Sequence, residues 1–85
     1  MKKIISNEII IGNKEIEKYM FVVVSKFEKE KELTLKSCGK NIMKMERIIR
    51  LLKNFNISEI ERESSDIYTN IPLITCKIKN GNINE

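Results

Sequence analysis

The chain has 85 residues, with 16 Lys and Arg against 12 Asp and Glu, a formal net charge of +4 and a pI of about 9.1. That length permits one small domain with a limited core, so help from a partner subunit is expected. The absence of His, the presence of only two Cys and the lack of any apolar run near the roughly 18 residues of a membrane span argue against a zinc site and a transmembrane helix, and remove the commonest general base.

The charge is uneven. Residues 1–55 carry 13 Lys and Arg against 7 Asp and Glu, a net of +6, whereas residues 56–85 carry 3 against 5. A basic part of this kind points to a polyanion partner. Lys2 and Lys3 make a basic start, but Glu8 follows too soon for a signal-peptide core, so an intracellular, reduced protein is expected.

In chain order, Glu8-Ile9-Ile10-Ile11 is a continuous apolar run before Gly12 and reads as a buried strand. Residues 15–31 carry helical spacing. Ile16, Met20, Val23 and Phe27 form one face, Tyr19 and Val24 widen it, and Asn13 is the expected N-cap. The Val22–Val24 triplet favours a strand locally, but the longer period outweighs it. Leu33 to Ser37 alternates and reads as a short strand. Residues 40–54 predict a second helix, on which Ile42, Met45, Ile48, Ile49, Leu51, Leu52 and Phe55 cover about half the circumference. So wide an apolar arc is expected to meet the sheet on one part and a partner chain on another. Residues 57–63 read as a strand with Glu59, Glu61 and Glu63 on one exposed face. A loop from Ser64 to Ile71 and a last strand, 73–78, follow, and 79–85 look frayed. The order is βαβαββ, with no repeat and no linker.

No pattern supports catalysis. There is no GxSxG, Walker loop or DxD, and Asp66 is the only aspartate, so no catalytic residue, metal ligand or cofactor is assigned. Cys38 reads as a reactive thiol or as a small turn residue, the second being favoured; Cys76 reads as core. The segments Ile11-Gly12-Asn13-Lys14 and Lys36-Ser37-Cys38-Gly39-Lys40-Asn41-Ile42-Met43-Lys44 both read as strand-to-helix turns bearing lysines. A helix N-terminus offers free N–H groups to a phosphate, and Lys36, Lys40 and Lys44 add full charges. A right-handed β-α-β crossover would bring both turns to one edge of the sheet. The same residues read equally as solvated lysines in a lysine-rich chain.

These stretches resemble the Alba family of small basic archaeal-type chromatin and RNA-binding proteins. Residues 7–14 resemble its opening strand and lysine turn, and Ile16 to Phe27 its first helix. Lys36 to Lys44 resemble its signature Lys-Ala-Arg-Gly-Arg-Ala-Ile-Ser-Lys/Arg, and Leu52-Lys53-Asn54-Phe55 the end of its second helix. The resemblance runs over about residues 7–78. It implies one α/β domain, a two-layer βαβαββ sandwich with a mixed four-stranded sheet and two helices, similar also to the C-terminal domain of initiation factor three. It implies a homodimer that coats double-stranded DNA or RNA with little sequence preference, in the cytoplasm or on the chromosome. Lys14 would be the central phosphate contact and a possible modification site, with Lys36, Lys40, Asn41, Lys44 and Arg47 along the same groove. Ile48, Leu51 and Phe55 would serve the dimer or dimer–dimer interface. The alternatives are an RNA-binding subunit of a ribonuclease P-like particle and a protein-interaction module with an incidental basic face. Three departures stand out: Cys38 replaces a family arginine, Glu15 a usual proline, and the 64–71 loop carries no Lys or Arg.

Overall fold

The computed structural model describes residues 7–66 and 71–81. The elements are β1 (Glu8–Ile10), α1 (Ile16–Lys26), β2 (Glu32–Cys38), α2 (Asn41–Leu52), a 3₁₀ turn (Lys53–Phe55), β3 (Ile57–Asp66) and β4 (Pro72–Asn80). They build the expected mixed four-stranded sheet, in the order β1-β2-β4-β3. β1 runs parallel to β2, and β4 is antiparallel to both β2 and β3.

Strand parity decides what lies on each side of the sheet, because cross-strand partners share a face. Leu33, Leu35, Cys76 and Ile78 are fully buried, and Ile9 and Ile57 nearly so, on the face covered by the helices. Tyr19, Val23 and Phe27 from α1, and Met45, Ile48, Ile49 and Leu52 from α2, complete one core. Ser37 is the buried polar residue among them, and its hydroxyl donates to the Met45 sulfur at 3.3 Å. Removing the side chain of such a fully buried Leu or Ile costs about 2–5 kcal/mol. The opposite face carries Thr34, Lys36, Thr75, Lys77 and Lys79, with no helix over it among the described residues.

Several boundaries differ from the sequence reading. α1 stops at Lys26 rather than 31, because Phe27 turns in as the C-cap. Its N-cap is Glu15, not Asn13, and no side chain caps it. Val24 is partly exposed rather than core. β3 extends through residues 64–66, which were expected in a loop; the loop residues 67–70 lie outside the described residues. β4 continues to Asn80, where a frayed tail was expected, and the Gly81 N–H donates to the Asn56 carbonyl at 2.8 Å; residues 82–85 lie outside the described residues. A Cβ on Gly81 would stand 2.9 Å from that carbonyl oxygen, so only glycine fits there without a shift. The three glutamates do not share a face. The register shifts between Glu59 and Glu61, a bulge that leaves Glu59 opposite Ile78 but Glu61 opposite Lys77.

Candidate nucleic-acid interface

Both strand-to-helix turns lie at the end of the sheet where the parallel strands finish. Pairing of Ile10 with Lys36, followed by the Ile11 N–H donating to the Lys36 carbonyl at 2.8 Å, carries the chain into the first turn. The second turn needs Gly39 at φ 59°, a left-handed conformation that a side chain would strain. Lys40 then serves as the N-cap of α2 without a side-chain cap, as Glu15 does for α1. Neither helix therefore closes its first N–H groups with a side chain, which keeps both N-termini favourable to an anion.

The predicted residues divide into four groups. Lys14 and Lys40 are exposed at the two turns, and no ion pair engages either among the described residues. Asn41 opens α2, partly exposed, and Arg47 is exposed beside Ile16, Met43 and Lys44 along a shallow groove. Lys44 is placed differently. Its ammonium donates to the carbonyls of Gly12 and Lys14, both at 2.8 Å, and stands 5.9 Å from the centroid of the Tyr19 ring. Lys36 does not join the turns. It shares a face with Ile10, away from the helices, and pairs with Glu8 at 3.2 Å.

The interface residues divide as well. Ile48 is wholly inside the protomer core and offers no surface to a partner, whereas Leu51 and Phe55 are 37% and 48% exposed. Ile60, lifted outward at the β3 bulge, is 49% exposed and was not foreseen. Asn56, held at φ 65°, turns the chain from this helix end into β3.

Two further features escaped the sequence reading. A groove of about 520 Å³ beside Lys14 is lined by Lys18, Tyr19, Phe21 and Val22, with Glu15 and Glu17 at its margin. Its most exposed ring, Phe21, falls outside the core-facing period of α1. On the other flank, Arg62 donates to Glu46 at 2.5 and 3.0 Å and to Glu59 at 2.7 and 3.1 Å, clamping α2 to β3. The Arg62 guanidinium holds the Glu46 carboxyl below its ordinary range, and the two carboxylates keep Arg62 charged. Lys77 meets Glu61 at 3.6 Å. Burial, reinforced by the charge of Glu59, pushes the Cys76 thiol up to about 11, so it is a neutral core group at neutral pH. Cys38 is exposed at the strand end before Gly39.

The geometry defines a two-layer α/β domain with a basic end and no cluster among the described residues suited to hold a metal ion. Among the same residues no helix is long and apolar enough to cross a membrane. The Alba family model matches residues 7–67. ALBA1 from Trypanosoma brucei superposes with a TM-score of 0.78 at 14% identity, over 87% of this chain and 69% of that one. Alba from Thermoplasma volcanium gives 0.72 at 19% identity, over 86% of this chain and 99% of that one. A sequence search of curated proteins finds no match. The chain belongs to the Alba family, whose members are non-enzymatic nucleic-acid-binding proteins.

Proposed function

We propose that this chain binds double-stranded DNA or RNA as a homodimer, with little sequence preference, through phosphate contacts centred on Lys14 and Lys40. One observation carries the reading: the parallel β1–β2 register delivers to one end of the sheet two helix N-termini without a side-chain cap and two lysines that no ion pair engages among the described residues. Helix N-termini and lysines suit phosphate oxygens, which fix position without reporting base sequence. Asn41 and Arg47 stand beside them, and Lys36 is secondary because Glu8 already holds it. Leu51, Phe55 and Ile60 supply apolar surface for the second protomer at α2 and β3.

The test is a titration of unrelated DNA and RNA duplexes across a salt series. Each phosphate contact on B-DNA should add about 0.9 to the log–log salt slope. Lys14→Ala should weaken binding to every duplex about equally and make the slope shallower by about one contact per subunit. Lys79, at the other end of the sheet opposite Glu32, should matter much less. Equal losses from Lys14→Ala and Lys79→Ala would reduce the binding to net charge. A duplex preferred about 1000-fold over unrelated sequence would overturn the sequence tolerance.

A further inference from the structure

We propose that Lys44 and Tyr19 clamp the Gly12–Lys14 segment from its two sides, and that Lys44 serves binding as a positioning residue rather than as a phosphate contact. The proposal rests on the reading of Lys14 as a phosphate contact. The last sheet bond into this segment is the one from the Ile11 N–H to the Lys36 carbonyl. Beyond it the backbone depends on side chains. The Tyr19 hydroxyl accepts from the Gly12 N–H at 2.7 Å and from the Lys14 N–H at 3.2 Å. The Lys44 ammonium donates to the carbonyls of the same two residues at 2.8 Å. Both N–H groups and both carbonyls are thus tied by one side chain from each helix.

The chemistry of each group suits this role. The Tyr19 side chain is buried, so its hydroxyl is a fixed point rather than a mobile one. An ammonium has three donor hydrogens, and two are already spent on carbonyls. Bonds from a charged donor are the stronger kind, so a phosphate would have to compete with two of them. Lys44 also sits over the Tyr19 ring, within the range of a cation–π contact. Lys44 belongs to the first turn of α2, so its bonds lock the first basic turn to the second. Lys14 therefore leaves from an ordered backbone, and less ordering is left to occur on binding.

Lys44→Met keeps the stem and removes the charge; Tyr19→Phe keeps the ring and removes the hydroxyl. Amide hydrogen exchange tests the clamp without any ligand. The Gly12 and Lys14 amides should exchange about tenfold faster in both variants, as expected for loss of a bond of this kind. The amides of Leu35 and Ile49 should keep their protection. Unchanged exchange at Gly12 and Lys14 would overturn the clamp. A duplex DNA titration across salt tests the role. Both variants should weaken binding several-fold with the salt slope unchanged, and Lys44→Met should add little in a Lys14→Ala background. A slope lowered by about 0.9 per subunit in Lys44→Met, with full additivity to Lys14→Ala, would make Lys44 a phosphate contact and overturn the role assigned here. Should the unaltered protein bind no duplex, or Lys14→Ala match Lys79→Ala, the binding reading fails while the exchange measurement still decides the clamp.

Discussion

The basic end and the β3–β4 flank handle charge in opposite ways. At the end where β1 and β2 finish, Lys14 and Lys40 stand with no acidic partner among the described residues. On the flank, Arg62 is held by Glu46 and Glu59, and Lys77 by Glu61. The chain total of +4 conceals this. Charge that is locally compensated contributes little field, so the attraction for a polyanion concentrates where compensation is missing. The flank uses its charges for cohesion between elements; the basic end leaves Lys14 and Lys40 uncompensated among the described residues.

The largest expected effect separates core from surface on α2. Ile48→Asp should abolish the cooperative thermal transition in circular dichroism, because a carboxylate would be placed in a fully buried site with no partner. Leu51→Asp, on the exposed side, should keep a cooperative transition but lower its melting temperature, because the stabilisation that association adds is lost. Light scattering should show dimer giving way to monomer in the same variant. A monomer in the unaltered protein at micromolar concentration would sink the dimer.

Next comes charge at the basic end. Lys40→Ala should weaken duplex binding more than Lys36→Ala does, because Lys40 has no ion pair among the described residues and Lys36 is held by Glu8. An equal loss in filter binding at one salt concentration would show that the Glu8 pair opens freely. Cys38→Arg should tighten binding by up to one contact in the salt slope, about 0.9 per subunit.

A smaller effect sharpens the flank. Arg62→Met should cost about 1 kcal/mol at neutral pH, since each pair is at the surface and screened. For a domain of this size that is a fall of about 4–8 °C in melting temperature. The pH dependence has a defined sign. The folded Glu46 carboxyl lies below its ordinary value of 4.5, so its contribution is present above that value and disappears as pH falls through the folded one. The gap between the melts of the two proteins should therefore narrow as pH falls below 4.5. A gap that persists in acid would mean that Arg62 acts through packing of its stem.

Gly39, the two helix periods and the parallel β1–β2 pairing were legible because each rests on a local rule: left-handed backbone, 3.6-residue spacing and crossover handedness. Lys36 was misplaced although the signal was present. Leu33 and Leu35 alternate inward, so Lys36 had to point outward, away from the turns. The bulge at Ile60 carries no such mark, because the alternation of Glu59, Glu61 and Glu63 looks regular until a partner strand sets the register. The position of Ile48 within a wide apolar arc was equally open, since helical phase tells which residues share a face but not which of them meets the sheet. The Lys44 bonds reach across 32 and 30 residues and depend on tertiary approach alone.

The bulge has one more consequence. A sheet with a long, flat outer strand is a template on which further copies can add, ladder upon ladder. Here β1 is only three residues long, and β3 is interrupted at Ile60 and studded with Glu59, Glu61, Arg62 and Glu63. Both rims are poor templates. Copies packed side by side at high local density can touch through side chains without fusing into a fibre, and the chain should remain colloidally stable when crowded.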